Sequence, residues 1–263
     1  MKTTYYSQNL SRLIDKGALS VRGKTLVVCG GVYDDRTLSE LGFTDYLITS
    51  LPKKNKDIKN YCSANAEDLP FQSGSFDNVI VHAGLHHCSS PHRALCEMYR
   101  VASKNVIVFE AQDSWLVRLL VIGGYALDYE FDAVEDNLKD GGVNNSSIPN
   151  YVYRWTRREL EKTIRTFDPT LRPSIDFSAR FIFHTCFMEE GRFLSKKVSL
   201  AKEPALLVFR ALTKILNIGF ANQGNSFCAL INKDNKDLGR LNDWLAVERG
   251  RYVYRQKKAR EVR

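Results

Sequence analysis

Two adjacent imidazoles, His86 and His87, follow an apolar run that ends at His82, and they are the side chains in this chain best suited to chemistry. A neutral imidazole titrates near neutral pH, so either residue suits the removal of a proton from a hydroxyl. The competing role is to pack against, and cap, the helical pattern that follows. No third ligand stands at a spacing that metal sites use, so the pair carries no expectation of a metal. Upstream, Gly30-Gly31 closes another apolar run. Glycine adopts φ > 0 and has no side chain, so a ligand can approach the backbone there; a tight structural turn is the alternative. Glu110 and Asp113 stand just past a later apolar run as possible substrate contacts. The segment 141–155, rich in amides and aromatics, contributes Tyr151, Tyr153, Arg154 and Trp155. Such a composition suits a lid that stacks on and hydrogen-bonds a polar ring, and equally suits a plain surface loop.

The elements that must position these residues alternate between short apolar runs and helical patterns. Residues 25–29, 46–49, 60–63, 78–81 and 105–110 read as strands, with a short helix over 35–41. A helix opens at Pro91, with Ser90 at its N-cap, and runs to about Ala102. Thr156 and Glu159 form a capping box for a helix reaching about Phe167. A sixth strand is predicted over 175–186 and a last one over 226–232, with a helical stretch over 195–219 between them. Alternation of this kind predicts a parallel sheet with helices on both faces. Ligands of such sheets sit at the carboxyl ends of the strands, which brings Gly30-Gly31 and the segment 82–87 to one edge.

A chain of 263 residues suits one α/β domain with insertions, or at most two domains. Six cysteines occur with no CxxC pair, which points to reduced thiols and a cytoplasmic setting. The N-terminus has no apolar core of a signal peptide, and residues 1–7 read as a loose lead-in. The two longest apolar stretches are broken by Arg118 and by Arg210 and Lys214, so no bilayer span of ~18 residues is expected. The net charge is +8, much of it in a tail holding Arg240, Arg249, Arg251, Arg255, Lys257, Lys258, Arg260 and Arg263. That tail suits nucleic acid, anionic lipid, a phosphorylated substrate or simple solvation.

The order of features over 65–100 is more specific than any part of it. It holds the turn Asn65-Ala66-Glu67, the step Leu69-Pro70-Phe71, the lead Ser75-Phe76-Asp77, the run Val79-Ile80-Val81, the histidines, and a helix closing at Arg100-Val101. This order resembles the class I S-adenosylmethionine (SAM)-dependent methyltransferases, nearest the branch of quinone-biosynthesis and small-molecule methyltransferases. The resemblance implies a Rossmann-like fold: seven strands, mostly parallel, the last antiparallel and slotted between its neighbours, with helices on both faces. It implies one methyltransferase domain over 1–263, with insertions at about 111–155 and 187–222 forming a substrate lid, and a basic tail over 234–263. It implies SAM as cofactor, released as S-adenosylhomocysteine. Gly30, Gly31, Val32, Ser50, Asn65, Ala66, Glu67, His82 and Ala83 would then bind the cofactor, with the Asn65 amide donating and accepting at the adenine edge or forming an Asx-turn. His87, His86 and Asp113 are the catalytic candidates, and Tyr151, Tyr153, Arg154 and Trp155 the substrate-binding ones.

The chain departs from the family pattern at two places. Val28 stands at the acidic position before the glycines, and Ser50 at the acidic position that ends the second strand, with Asp57 downstream. A hydroxyl holds a ribose more weakly than a carboxylate does. The leading expectation is methyl transfer to oxygen of a small-molecule or sugar-containing acceptor, in small-molecule biosynthesis. The alternatives are a non-catalytic binding or scaffold protein, and a nucleic-acid methyltransferase, against which no Asn-Pro-Pro-Tyr-type motif is present. The aliphatic stretch of the second insertion suits an extension of the pocket, a membrane contact or, most commonly for such a stripe, core packing or a homodimer seam.

Overall fold

Seven short runs of apolar residues, four of them buried almost end to end, set the architecture. The computed structural model describes residues 4–51, 58–131, 134, 139–168, 175–182, 211, 213–220 and 222–233, and the backbone of 245–248 and 251–254. In chain order these form α1 (Tyr5–Asp15), β1 (Thr25–Val28), α2 (Val32–Glu40), β2 (Tyr46–Ser50), β3 (Tyr61–Ser63), β4 (Phe76–His82), α3 (Pro91–Val101) and β5 (Ala102–Ala111). They continue with α4 (Trp115–Ile122), β6 (Tyr129–Glu130), β7 (Asn150–Tyr151), α5 (Arg157–Phe167), β8 (Ile175–Arg180), β9 (Ser226–Asn232), β10 (Leu245–Glu248) and β11 (Arg251–Tyr254).

The main sheet has the order β3-β2-β1-β4-β5-β9-β8. β3, β2, β1, β4 and β5 are parallel, and β9 lies antiparallel between β5 and β8. Strands covered on both faces need apolar residues at successive positions rather than alternating ones, which is what Thr25–Val28 and Val79–Val81 supply. One face packs Leu95, Met98 and Tyr99 of α3 and Leu160 and Ile164 of α5 against the sheet. The other packs Tyr6, Leu10 and Leu13 of α1 and Leu38 of α2.

The sequence at 65–100 is held together by specific bonds. Arg100, in the last turn of α3, donates to the carbonyls of Leu69 and Phe71 and pairs with Glu97. Thus the Leu69-Pro70-Phe71 step is anchored to the helix that ends the segment. Glu67 is buried, and its carboxylate accepts from Ser89 Oγ and from the Ser90 N–H at the start of α3. A carboxylate there complements the helix N-terminus. Ser90 is the N-cap residue, as expected, but the capping bond comes from Glu67 rather than from its own hydroxyl.

Three expectations are corrected. Residues 4–7 are no loose lead-in: Thr4 and Ser7 form a capping box that opens α1, with Tyr6 and Ser7 buried. Two-stranded pairs that the sequence pattern did not signal occur at β6/β7 within the first insertion and at β10/β11 within the basic tail. α2 begins three residues earlier than Asp35, at Val32. Residues 183–186 of the expected sixth strand, 187–210 of the second insertion, Asp57 and the tail at 234–244 and 255–263 lie outside the described residues. Among the described residues no helix is long and apolar enough to cross a membrane.

The Thr4 hydroxyl satisfies an amide that would otherwise be orphaned at the start of α1. Thr4→Ala is expected to lower unfolding free energy by about 1 kcal/mol in urea; an unchanged midpoint would show that α1 is held by packing alone.

Candidate functional site

β1 and β4 are neighbours, and each leaves the sheet through a left-handed residue, Cys29 (φ 55°) and Ala83 (φ 50°). Non-glycine residues with positive φ are uncommon and cluster at functional turns. The two turns touch. A Cβ placed on Gly84 would lie 2.5 Å from Cys29 Cβ, so only glycine fits there. At Gly30 a Cβ would lie 2.7 Å from Val27 Cγ1 and 2.9 Å from Ile48 Cγ2, whereas Gly31 faces open space. The Gly31 N–H donates to Asp34 Oδ2, which fixes the start of α2.

Two cavities meet at these turns. The first, of about 300 Å³, is lined by Cys29, Gly30, Gly31, Ser50, Leu51, Asn65, Ala66, Ala83 and His87, and is covered from the first insertion by Gly141, Gly142, Asn144 and Asn145. The second, of about 550 Å³, is lined by Tyr6, Tyr33, His82, Ala83, His86, Glu110, Glu130 and Val152. Ala83 and the adjacent His86-His87 step are common ground between the two.

Glu110 builds the junction. Its side chain is fully buried, Oε1 accepts from the N–H groups of Gly84 (2.8 Å) and Leu85 (2.6 Å), and Oε2 lies 2.9 Å from His86 Nδ1. The other His86 nitrogen, Nε2, lies 3.3 Å from Glu130 Oε2. Burial disfavours the imidazolium, but Glu110, by charge and hydrogen bond, and then Glu130 outweigh it, and the His86 pKa is raised to about 10. Glu130 is correspondingly held below its ordinary range, chiefly by its bond to His86 against the opposing effect of burial. With a carboxylate on each ring nitrogen, His86 is poorly placed to take a proton from an acceptor. His87, one residue on in the 3-10 turn Leu85–His87, is about one-third exposed. Its Nε2 lies 3.7 Å from Glu130 Oε2, and its Nδ1 lies 2.7 Å from Asn150 Nδ2.

The structure sorts the sequence candidates. Gly30, Gly31, Ser50, Asn65, Ala66 and Ala83 converge on the first cavity. Asn65 Oδ1 accepts from the Glu67 N–H, so an Asx-turn uses that oxygen while the residue lines the wall. Ser50 is hydrogen-bonded to Tyr61 Oη at 3.2 Å. His82 belongs to the second cavity instead, where it stacks on Tyr6 with parallel rings 4.2 Å apart. Glu67 is withdrawn to cap α3, and Val32 is exposed on α2 outside the cavity lining. Asp113 is bound by Arg118 through both carboxylate oxygens and lines a separate groove with Tyr151, Tyr153 and Arg154. Trp155 is fully buried in the core, paired by its backbone to Ala111 and Asp113, and cannot touch a substrate. Around β7 side chains alternate, so Asn150 and Val152 face the site while Tyr151 and Tyr153 face that outer groove. Glu130 and Asn150 carried no local sequence signal. Period-two alternation around Tyr151 was the one clue that neighbours of the tyrosines would face inward.

The sheet order, with an antiparallel strand between β5 and β8 and a crevice at the carboxyl ends of β1 and β4, is that of the Rossmann-like class I methyltransferases. Residues 40–109 match the model of a methyltransferase domain. A Bacillus halodurans protein classed among methyltransferases superimposes with a TM-score of 0.51 over 86% of this chain and 99% of its own, at 15% identity. The ubiquinone/menaquinone biosynthesis C-methyltransferase UbiE of Haemophilus ducreyi is 48% identical over 42 residues, 16% of either chain. An uncharacterized protein of Methanocaldococcus jannaschii is 28% identical over 143 residues, covering 38% of this chain and 57% of its own. The chain thus spans little more than half of one curated relative and a sixth of the other. The fold is thus that of the class I methyltransferases, and the segment 40–109 is similar to a methyltransferase domain.

The His86 clamp gives stability a pH dependence. Its folded pKa is raised above the ordinary 6.5, so the stabilisation is complete below about pH 6.5 and is lost as pH rises toward about 10. Unfolding free energy measured in urea is expected to fall between pH 6.5 and 8, with His86→Gln flattening that slope. A wild-type slope unaffected by the substitution would refute the clamp.

Proposed function

We propose that this protein transfers a methyl group from SAM to an oxygen of a small-molecule or sugar-containing acceptor, with residues 111–155 as a lid. The observation carrying this reading is the meeting of two cavities at Ala83, at the carboxyl ends of β1 and β4. One has the glycine turn and the amide turn of a nucleoside pocket, and the other presents imidazoles and a carboxylate.

The first cavity fits the cofactor in character. Gly31 leaves open space, small residues line the wall, and its volume lies at the lower end of the range usual for ligand sites. Gly30, Gly31 and Ala83 would flank the methionine part, Ser50 the ribose, and Asn65 and Ala66 the adenine. Among the described residues no acidic one lines this cavity, so the Ser50 hydroxyl would meet the ribose. When bound, SAM supplies an electrophilic methyl group on a sulfonium centre.

The chain's own residues then align the acceptor, exclude water and handle its proton. Activation of an acceptor hydroxyl is assigned to His87 with Glu130, because His87 lines the cofactor cavity and Glu130 the other. His86, held by Glu110, acts as a positioning residue for both. Asn144 hydrogen-bonds Ser89 through its Oδ1 and Nδ2, which fastens the lid over the cofactor side.

The deciding measurement is calorimetric titration with SAM and with S-adenosylhomocysteine. Micromolar binding of both, lost in Gly31→Leu with the melting temperature preserved, is expected. Gly30→Leu is the contrasting variant: its side chain collides with Val27 and Ile48, so it should unfold rather than merely fail to bind. No binding by the wild type would favour the scaffold alternative. His87→Ala should reduce turnover on an oxygen acceptor by roughly 10²-fold, and near-normal turnover would remove the assigned role.

A further inference from the structure

We infer that His86 Nε2, His87 Nε2 and the Glu130 carboxylate form a binding site for one divalent transition-metal ion, with open coordination positions toward the acceptor cavity. The three residues offer ligand atoms that all lie within 4.8 Å of one another. Glu130 Oε2 is 3.3 Å from His86 Nε2 and 3.7 Å from His87 Nε2. An ion bound by imidazole nitrogen and carboxylate oxygen at about 2.0–2.2 Å sets its ligand atoms about 3.0–3.5 Å apart. Two of the separations are therefore near the required values, and the third, between the two ring nitrogens, is at most 4.8 Å, so the rings must draw together as the ion binds.

The surroundings have the features of a built site. Metal-binding histidines ordinarily donate their second ring N–H to a carboxylate or carbonyl, which fixes the ring and directs the remaining lone pair at the ion. Glu110 Oε2 holds His86 Nδ1 in this manner, and is itself fixed by the Gly84 and Leu85 N–H groups; the ion would displace the proton that Nε2 otherwise shares with Glu130, so binding releases a proton. At His87 Nδ1 stands Asn150, fully buried, with its amide 2.7 Å away and its Oδ1 without a partner. A half-turn of that amide would present Oδ1 to His87 Nδ1–H and direct the Nε2 lone pair at the ion, at the cost of the 3.4 Å bond from Nδ2 to the Gly141 carbonyl and of its bond to Glu130. Two imidazoles and one carboxylate with open positions suit Zn²⁺, Fe²⁺, Co²⁺ or Ni²⁺ better than Mg²⁺ or Ca²⁺.

The spacing in sequence hid this site. His86 and His87 are adjacent, and the third ligand arrives 43 residues after His87 from the first insertion, at β6 (130 − 87). The role assigned to the ion rests on the methyl-transfer reading. It would bind the acceptor hydroxyl and lower its pKa, the polarising function of a Lewis acid. His87 then serves as ligand in that activation rather than as the proton acceptor itself.

The test uses the full chain, stripped with a chelator, titrated with Co²⁺ and followed by visible d–d absorption and calorimetry. A parallel titration with S-adenosylhomocysteine is run on the same preparation. One equivalent of Co²⁺ at micromolar affinity is expected, weakened at least roughly tenfold in His87→Ala and in Glu130→Gln. Circular dichroism establishes that each variant is folded, and Glu130→Gln keeps the size and loses only the charge. Absence of saturable Co²⁺ binding would overturn the site, as would unaltered binding in both variants. An intense thiolate-to-cobalt band in the near ultraviolet would place the ion on cysteines and overturn it too. S-adenosylhomocysteine binding without Co²⁺ binding refutes this inference alone. Co²⁺ binding without S-adenosylhomocysteine binding upholds the site and refutes the role given to it.

Discussion

A buried carboxylate at Glu110 is the constraint on which the site depends. Taking a carboxylate out of water costs several kcal/mol unless donors replace the lost hydration. Glu110 receives two backbone N–H groups and one imidazole nitrogen, all from Gly84, Leu85 and His86. These bonds can form only if the chain turns sharply as it leaves β4. That turn places Ala83 at positive φ and presses Gly84 against Cys29, where no Cβ would fit. The same bonds orient His86 toward Glu130, and through Glu130 they reach the first insertion. One residue at the end of β5 thereby fixes the exit of β4, the wall between the two cavities, and the point where the first insertion is tethered.

The sheet was legible because burial on both faces leaves a continuous apolar signature, and 25–29, 46–49, 78–81 and 105–110 all have it. The capping boxes at Thr156 and the glycine turn at 30–31 were legible for local reasons, since their partners lie within three residues. α1 was missed: Thr4 and Ser7 form a box and Tyr6, Leu10 and Leu13 are buried together, but the polar residues between them hid the pattern. Trp155 and Glu67 show where composition misleads. An aromatic next to tyrosines reads as a stacking surface, yet this one has a strand-like backbone pairing with Ala111 that turns it into the core. A carboxylate beside Asn65 reads as part of the ligand turn, yet the N-terminus of α3 lies across from it and takes the charge.

What could not be read was the set of contacts made across insertions. Glu130 and Asn150 sit opposite each other in a two-residue ladder between β6 and β7, too short to leave any periodic trace. Their partners, His86 and His87, lie more than 40 residues upstream. The basic tail is a further case, since its alternating residues at 245–254 form β10 and β11, a pattern masked in the sequence by the charges around it.

The two departures from the family pattern gain a physical meaning from the geometry. Val28 is fully buried in the sheet, so an acidic side chain there would need a partner that the surrounding apolar cluster does not offer. Ser50, at the end of β2, shares its hydroxyl with Tyr61 of β3. A cofactor hydroxyl would therefore meet a neutral, already bonded group rather than a charge. Recognition in the first cavity must then come mostly from shape, from the backbone of the Gly30-Gly31 and Asn65-Ala66 turns, and from the cover supplied by Gly141–Asn145. That shifts part of the binding energy from fixed carboxylates to a segment that has to be ordered, and ordering has an entropic cost. The link from Asn144 to Ser89 meets this demand, because Ser89 is itself held by Glu67 on the rigid side of the crevice. Carboxylates stand instead on the other side of Ala83, where Glu110 and Glu130 surround the histidines. Among the described residues the acidic groups are thus concentrated beside the second cavity, and none lines the first.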